Sequence, residues 1–498
     1  MNRYLLGIDL GTSCCKIALF TTDLDLIFSG IQEYKTSYLN IDWVEQDAND
    51  WWKVVVNLIK NLLKKTHIKP NSIIGLGIDS QSSVVLPVDT KGNSLRPAMI
   101  WLDRRAKQQS NIINKKMADL LLNINGNYSD PSNMSPKILW LKQNEPDIYK
   151  KTYKFLNANG YLVYKFTGIF SMDLSQGGLS QLFNTKQGKW SEELIEGCGI
   201  DKNKLPEFYN CYDIVGVINK SSSSKTGLKV GTPVIAGSMD MVAAALGAGV
   251  FASGQVYVSA GTATAAGVCL DEPKFNPDLH IYHHIIPNRW ITAGGVDYGG
   301  GGMRWFKNFL GLKDYSKINK LVEGSDPGSK GLIFLPYMIG QRVPLKNNNT
   351  VGVILGLNPR VEQKDFIRMF MEGNAFGLRY IFDVILKSGI QIKQLKMTGG
   401  CTNIDVWSQI FADVTKRDIE VLHNIDATML GITIALGYGL GLYNFEDIIS
   451  KLPKGKMFYP DIKNTELYDS FFDVFYDVYQ KLKNNFNSLS VIKNKFNI

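Results

Sequence analysis

Two aspartates in distinctive surroundings are the residues of this chain best suited to chemistry. Asp9 ends the apolar run 4–8 and leads into the turn Gly11-Thr12-Ser13, after which a second apolar run, 17–20, begins. This pattern predicts a strand, a tight turn and a second strand. The free N–H groups and small hydroxyls of such a turn can bind a phosphate, and Asp9 can hold Mg²⁺ directly or through water.

The second aspartate is Asp240. It follows the apolar run 234–236 and precedes an Ala/Gly-rich stretch that is typical of a helix. A carboxylate in this position can take a proton from a hydroxyl and can share a metal ion with Asp9. A phosphate-binding turn, a metal-binding carboxylate and a basic carboxylate together indicate phosphoryl transfer to an alcohol. The alternative for Asp240 is a helix N-cap, which Asp favours for backbone reasons alone.

Length and composition limit the classes of protein to which the chain can belong. A chain of 498 residues is too long for one core, so we expect two domains of similar size, 1–246 and 247–498. Its content of 45% hydrophobic and 20% charged residues is that of a soluble globular protein. The net charge of +9 is mild for this length and the basic residues are scattered, so nucleic acid is not an expected partner.

The same features bear on the compartment. No run of eighteen apolar residues occurs, so we expect no membrane-spanning helix. The first strand begins too early to leave room for a signal peptide. The six cysteines form no CxxC pair and no Cys/His cluster. That usage predicts reduced thiols in a cytoplasmic protein.

A weak internal repeat indicates that the two domains are related. The segment Val258-Ser259-Ala260-Gly261-Thr262 repeats the pattern of Ile8-Asp9-Leu10-Gly11-Thr12, and Thr264 opens the next apolar run. Two glycine runs, 299–302 and 399–400, precede helices that we predict from Met303 and Asp405. Such glycines let the backbone approach a ligand closely. The nucleotide would then lie in a cleft between the domains.

The remaining pattern gives a coarse order of elements. Apolar runs predict strands at 4–9, 15–20, 73–79 and 84–88, followed by an α-rich stretch over 103–182. The serine run 221–225 predicts a polar loop, and a terminal helix is expected over about 466–486.

Taken together, the motifs resemble those of the FGGY carbohydrate kinases, which share the duplicated ATPase fold of actin, hexokinase and the heat-shock chaperone ATPases. The resemblance covers nearly the whole chain, and the motifs stand in the family's order. The segments that carry it are Asp9–Lys16, Trp43–Asp47 with Trp51-Trp52, Trp101–Arg105, Lys137–Leu141, Gly331–Tyr337, Gly352–Leu357 and Gly399-Gly400.

This resemblance implies an α/β fold of two actin-like (ribonuclease H-like) domains flanking a catalytic cleft. It also implies ATP and Mg²⁺, with Asp240 as catalytic base and Asp9 and Asp240 near the metal. The nucleotide would contact Gly11, Thr12, Ser13, Lys16, Gly261, Thr262, Thr264, Gly301, Gly302, Gly399, Gly400 and Asn403. The sugar would contact Gln81, Ser82, Ser83, Trp101, Asp103, Arg105 and Asp240.

Within that family the chain is most similar to xylulokinases, which implies a ketopentose acceptor and D-xylulose above all. Its sugar loop keeps Gln81, but Ser82 and Ser83 stand where a Met-His pair is common. Removing a histidine that bonds a sugar hydroxyl changes selectivity, because an unpaired buried hydroxyl costs about 1–3 kcal/mol. Another pentulose, a polyol such as glycerol or erythritol, and gluconate are therefore the alternative acceptors.

A different class of protein is the other interpretation of these motifs. A non-catalytic ATP-gated sugar sensor would be marked by loss of the base carboxylate, but Asp240 is present. An actin-like assembly protein would lack the sugar loop and the Trp101–Arg105 motif. Arg105 also has a purely structural interpretation, as the partner of an acid. The expected partners are a small sugar and ATP, with a homodimer as a candidate assembly.

Overall fold

The computed structural model of the chain describes residues 3–40, 42–312, 314–423, 425–452 and 454–496. The chain divides into two compact units. The first unit comprises Met1–Phe251, Leu270–Ile291 and Asp426–Leu452, and the second comprises Ala252–Cys269, Thr292–Ile425 and Pro453–Ile498. Two segments beyond residue 269 thus pack with the first unit, an arrangement that no composition or charge pattern indicated.

Up to residue 247, the described residues form sixteen strands and nine α-helices. The strands are β1 Tyr4–Leu10, β2 Cys14–Thr21, β3 Leu26–Glu33, β4 Ser37–Tyr38, β5 Val44–Gln46, β6 Ile73–Ser80, β7 Leu86–Val88, β8 Ala98–Met99, β9 Lys154–Leu156, β10 Ser171–Asp173, β11 Phe183–Asn184, β12 Lys189–Trp190, β13 Glu207–Tyr209, β14 Ile214–Val217, β15 Pro233–Ile235 and β16 Ser238–Met239. The helices are α1 Ala48–Thr66, α2 Lys107–Ile124, α3 Met134–Asn144, α4 Pro146–Lys151, α5 Ala158–Thr167, α6 Leu174–Ser180, α7 Glu192–Cys198, α8 Lys220–Thr226 and α9 Asp240–Gly247.

The remainder of the chain follows the same mixed pattern. Its strands are β17 Gln255–Ala260, β18 Thr264–Leu270, β19 His280–His283, β20 Trp290–Val296, β21 Ile333–Leu335, β22 Val353–Leu355, β23 Gln394–Thr398, β24 Ile419–Val421 and β25 Lys456–Phe458. Its helices are α10 Gly300–Phe309, α11 Tyr315–Glu323, α12 Gln363–Lys387, α13 Asp405–Thr415, α14 Ala427–Gly439, α15 Phe445–Ile449 and α16 Ile462–Phe496.

The central sheet of the first unit runs in the order β14-β15-β6-β1-β2-β3, and β16 also pairs with β6. Strand β1 is antiparallel to β2 and parallel to β6, and β6 is parallel to β16. Because β1, β6 and β16 are parallel, their carboxyl ends lie at the same edge of the sheet. The apolar side chains of β1 and β6 are buried and form the core of the unit with those of α1 and α5.

The central sheet of the second unit includes β20-β18-β17-β23-β24-β25 in that order. Strand β17 is antiparallel to β18 and parallel to β23. This is the arrangement of β1, β2 and β6 in the first unit. The repeat predicted from the two Gly-Thr turns is therefore present in the fold.

The strands predicted at 4–9, 15–20 and 73–79 are confirmed as β1, β2 and β6. The loop predicted at 221–225 is wrong, since these serines lie in α8. Asn219 caps that helix by accepting from Ser222 N, and Gly227 ends it in the left-handed region. Capping residues on both sides therefore outweigh the low propensity of a serine run.

Two helix bounds also differ from expectation. The terminal helix α16 extends to Phe496, whereas the apolar pattern predicted its end at Phe486. The pattern stops there because the described side chains beyond Phe486 are mostly exposed and form no buried stripe. Helix α10 begins at Gly300 rather than Met303. In the part of the chain that the structure describes, no helix is both long and apolar enough to cross a membrane.

Candidate active site

Three carboxyl groups lie at the shared edge of the first sheet. Asp9 is near the end of β1, opposite Asp79 of β6, and Asp240 begins α9 directly after β16. The sharp entry into β16 depends on Gly237, whose φ is +84° and whose added Cβ would meet the Ile78 carbonyl oxygen at 1.8 Å. Only glycine tolerates both conditions. This turn brings the Asp240 backbone to the end of β6.

Poor solvation raises the pKa of all three carboxyl groups. Burial raises the pKa of Asp9 to about 6, against the opposing charge of Lys16. Burial and then the charge of Asp9 raise the pKa of Asp240 to about 7. The fully buried Asp79, beside Asp9 and Asp240, has a pKa well above its usual range. A carboxyl group with a pKa near neutrality can act as a base at physiological pH.

One lysine opposes this negative charge. Lys16 Nζ lies 2.9 Å from Asp426 Oδ2 and 3.5 Å from Asp9 Oδ2. Burial alone would lower the pKa of Lys16, but the charges of Asp9 and Asp426 outweigh burial and raise it. Asp426 is the N-cap of α14, where it accepts from Met429 N at 3.3 Å. Lys16, the lysine predicted to contact a phosphate, is therefore held by two carboxylates at the edge of the carboxyl cluster.

A chain of hydrogen bonds connects the first phosphate turn with the predicted sugar residues. Trp101 Nε1 donates to Thr12 Oγ1 at 2.8 Å. Gln46 Nε2 donates to the Thr12 carbonyl oxygen at 2.6 Å, and Gln81 Nε2 donates to Gln46 Oε1 at 2.8 Å. Gln81 is buried, and its Oε1 has no hydrogen-bond partner among the described residues. An acceptor is therefore left for a ligand hydroxyl.

The sugar loop is anchored by a buried lysine. Lys137 Nζ donates to the carbonyl oxygens of Ser83 and Ile100 at 2.8 and 2.7 Å. Complete burial lowers the pKa of Lys137 to about 7. Ser83 has a φ of +55°, an unfavourable conformation for a residue with a side chain, and Lys137 bonds its carbonyl. Ser82 precedes it and is partly exposed.

Asp103 and Arg105 form a buried ion pair. Asp103 accepts from Arg105 Nη2 at 2.6 Å and from Val44 N at 2.8 Å. The same Arg105 nitrogen lies 2.6 Å from Glu45 Oε1, and its guanidinium lies over the Trp43 ring at 4.1 Å. Most contacts of Arg105 are therefore those of a structural residue that pairs with acids. Its Nη1 is buried without an acceptor among the described residues.

The carboxyl groups at the strand ends suit a hydrated Mg²⁺. Asp9 Oδ1 and both Asp79 carboxyl oxygens are buried, and no nitrogen or hydroxyl donor of the described residues reaches them. Within the described ranges, no group of three or more His, Cys, Asp or Glu is arranged to hold a metal ion directly. Mg²⁺ usually keeps several waters and needs one or two carboxylates, so this geometry fits water-mediated binding.

In the second unit, the predicted nucleotide residues converge on the turn between β17 and β18. Gly300 N donates to the Gly261 carbonyl oxygen at 2.8 Å, and Gly301 N donates to that of Thr262 at 3.0 Å. An added Cβ on Gly300 would meet the Gly261 oxygen at 2.4 Å. The glycine run therefore lets the first turn of α10 lie directly against the Gly-Thr turn.

The second glycine motif reaches the same turn. An added Cβ on Gly399 would lie 2.5 Å from the Ala260 backbone, whereas one on Gly400 would meet nothing within 4 Å. Asn403, three residues on, is exposed. Thr264 Oγ1 is buried without a hydrogen-bond partner among the described residues. Gly302 packs against Phe370, so the glycines divide into packing positions and one open position.

Four residues of the site have no role predicted from the sequence. They are Asp79, Asp426, Lys137 and Gln46. Asp79 had a visible signal, because it ends an apolar run as Asp9 does. Lys137 and Gln46 stood inside quoted motifs without a role. Asp426 gave no signal, since its approach to Lys16 spans 410 residues of sequence.

Comparison with known families identifies the class of protein. The chain matches the N-terminal domain of the FGGY family of carbohydrate kinases over residues 4–247 and the C-terminal domain over residues 256–440. Together these matches cover more than half of the chain, so the protein belongs to the FGGY family of carbohydrate kinases. The expected α/β fold with two actin-like domains is confirmed, and the protein is a sugar kinase that uses ATP as phosphate donor.

Individual relatives are more distant. A xylulose kinase of Bacillus subtilis (strain 168) is 27% identical over 489 residues, 97% of each chain. A gluconokinase of Bacillus licheniformis is 26% identical over 466 residues, 91% of this chain and 90% of the other. A ligand-bound xylulose kinase structure from Lactobacillus acidophilus has a TM-score of 0.92 at 22% identity, covering 98% of this chain and 100% of that one. The likeness to a xylulose kinase is confirmed at this modest identity.

Proposed function

We propose that this kinase transfers the γ-phosphate of ATP to a hydroxyl of a ketopentose, with D-xylulose as the first candidate. Asp240 accepts the proton of the attacking hydroxyl. The observation that carries this assignment is the Asp240 carboxyl itself, which is partly exposed at the start of α9 and has a pKa near 7. It is not the N-cap of that helix, because Met239 occupies the N-cap position.

The sugar is bound by the first unit. The unpaired Gln81 Oε1 offers an acceptor, and the unpaired Arg105 Nη1 offers a donor, to two hydroxyls of the sugar. Asp103 fixes the Arg105 guanidinium, while Trp101 lies against the phosphate turn through Thr12. Direct contact of Ser82 and Ser83 with the sugar follows from their place in the same loop.

The nucleotide is bound through the glycine turns. We assign the phosphates to the Gly11-Thr12-Ser13 turn with Lys16, and to Gly261, Thr262 and Thr264. The open position at Gly400 and the exposed Asn403 suit the adenosine part. Gly301, Gly302 and Gly399 act by allowing close backbone packing around these groups.

Asp9 would hold Mg²⁺ through water, and Asp240 lies close enough to Asp9 for the charge of Asp9 to raise the Asp240 pKa. When bound, this ion neutralises negative charge on the phosphates. The support for the assignment is that no nitrogen or hydroxyl donor of the described residues reaches the buried Asp9 Oδ1 or either carboxyl oxygen of Asp79 beside it.

D-xylulose ranks first because the Bacillus subtilis xylulose kinase matches 97% of this chain at 27% identity. Gluconate is the second candidate, because the gluconokinase relative is almost as similar, at 26% identity. The loop with Ser82 and Ser83 leaves more room than a Met-His pair. One lost hydrogen bond of about 1.4 kcal/mol is worth tenfold in selectivity, so we expect weaker discrimination between epimers than a histidine would give.

The test is a coupled assay of kcat/KM for D-xylulose, L-xylulose, D-ribulose, L-ribulose, glycerol, erythritol and gluconate. The proposal expects a pentulose to have the highest value. The Asp240→Asn protein, purified in parallel, controls for contaminating host kinases. Gluconate or a polyol exceeding every pentulose by about a hundredfold would overturn the pentulose assignment.

A further inference from the structure

A buried hydroxyl lies directly beneath the turn that carries Asp240. Ser175 Oγ accepts from Met239 N at 2.8 Å, and it donates to Asp173 Oδ1. Met239 is the last residue of β16 and immediately precedes Asp240. Ser175 is fully buried, so no water competes for this amide. The backbone next to Asp240 is therefore fixed by a side chain that is distant in sequence.

Ser175 is itself held in one orientation. Asp173 caps α6 by accepting from Ser175 N at 3.0 Å and from Gln176 N at 3.3 Å. Its other oxygen, Oδ2, accepts from Asn159 Nδ2 at 2.9 Å. With its proton directed to Asp173, the Ser175 hydroxyl presents a lone pair to the Met239 amide.

The same network reaches the neighbouring strand ends. Asn159 Nδ2 also donates to the Ala236 carbonyl oxygen at 3.2 Å, and Ser80 Oγ donates to Asn159 Oδ1 at 3.1 Å. Ala236 and Met239 flank the Gly237 turn, and Ser80 precedes Gln81. One connected set of buried polar groups thus contacts the backbone on both sides of the Gly237 turn, which leads to Asp240. The same set contacts the start of the sugar loop.

We propose that Ser175 is a positioning residue for phosphoryl transfer and acts on Asp240 through the Met239 amide. This inference rests on the proposed role of Asp240 as base. Strand β16 is only two residues long, so its ladder with β6 alone constrains the turn weakly. Removing the Ser175 acceptor leaves a buried N–H unpaired, and the turn shifts to satisfy it. A shift of about 1 Å at a catalytic group can cost up to about a hundredfold in rate.

The test compares Ser175→Ala with Ser180→Ala. Ser180 is a matched control, since it is a buried serine on the same helix and bonds the Gly177 carbonyl oxygen at 2.6 Å instead of Met239. We expect Ser175→Ala to lower kcat about tenfold while KM for the sugar and for ATP changes less than twofold. Ser180→Ala should keep kcat within twofold at a comparable loss of Tm. An unchanged kcat in Ser175→Ala would overturn the proposal.

A second variant and a second background complete the experiment. Ser175→Cys replaces the hydroxyl with a larger thiol, a weaker acceptor that does not fit the 2.8 Å contact with Met239 N. It should lower kcat at least threefold, and it provides the test if the alanine protein does not fold. In the Asp240→Asn background, Ser175→Ala should change kcat less than twofold, because its target is gone. An equal fold loss in both backgrounds would overturn the positioning role and leave the base assignment intact. A wild-type kcat in Asp240→Asn alone would instead overturn the proposed base.

Discussion

The central strands of the two units have the same arrangement, but the residues at their ends differ in charge. These strand ends form a charged centre in the first unit and a neutral centre in the second. In the first, Asp9 of β1 stands opposite Lys16 of β2 and Asp79 of β6. In the second, the corresponding Ser259 of β17 stands opposite Ala265 and Thr398. The duplicated fold therefore contains the same arrangement of strand ends in each unit. At these paired positions, charged residues are found in the first unit and not in the second.

This difference separates two roles of one fold. The charged centre has buried carboxyl groups with raised pKa values, which suit proton transfer and a cation. In the neutral centre, the hydroxyls of Tyr257 and Thr398 share a hydrogen bond of 2.8 Å. Close backbone packing by the glycine runs then replaces side-chain charge. Substitutions in the first centre should affect chemistry, and those in the second should affect nucleotide binding or stability.

The largest expected effect is on catalysis in the first unit. Asp240→Asn removes the base and should lower kcat by about 10²–10⁴-fold, with little change in nucleotide affinity, measured by steady-state kinetics and calorimetry. Asp405→Asn is the matched control, because Asp405 begins α13 as Asp240 begins α9. It should keep wild-type kcat. If both variants turn over normally, Asp240 has no catalytic role.

A substitution in the neutral centre should instead affect ATP binding. Gly300→Ala places a Cβ at 2.4 Å from the Gly261 carbonyl oxygen, so the turn must move. We expect KM for ATP to rise about tenfold and KM for the sugar to stay within twofold, measured with each substrate varied in turn. Gly324→Ala, whose new Cβ meets its nearest atom at 3.7 Å, is the control. Equal changes in both KM values would contradict the separation of roles.

The charged centre should also make stability depend on pH. The folded pKa values of Asp9, Asp79 and Asp240 lie above the ordinary value of 3.8. The folded state therefore binds more protons than the unfolded state above pH 4, and the free energy of unfolding falls as pH rises to about 7. Without Mg²⁺, Asp79→Asn should flatten this decline and raise Tm at pH 8 by several degrees, measured by calorimetry. A lower Tm at pH 8 would show that Asp79 is stabilising as a carboxylate.

The smallest effect should come from the corresponding residue of the second unit. Thr398→Val removes the hydrogen bond with Tyr257 and should lower the free energy of unfolding by about 1 kcal/mol. Because no carboxyl group is involved, the loss should be the same at pH 5 and pH 8. A loss that varies with pH by more than about 1 kcal/mol would mean that the neutral centre is coupled to a titrating group.

The sequence by itself determined the strands around Asp9 and Asp79, the two Gly-Thr turns, the internal repeat and the family. These are local signals, since apolar runs, glycines and aspartates at strand ends can be recognised within a few residues. Capping residues decided the helix at 220–226, where the serine run predicted a loop.

Only the tertiary structure decided which groups meet. The contact of Lys16 with Asp426, the anchoring of Ser83 by Lys137 and the support of Met239 by Ser175 join segments 410, 54 and 64 residues apart. Burial, which raises the Asp240 pKa to about 7, is likewise a property of the packed unit. Bringing such distant residues together costs chain entropy, and no local pattern indicates which of them will meet. These contacts therefore form only when the folded sheet brings the strand ends together.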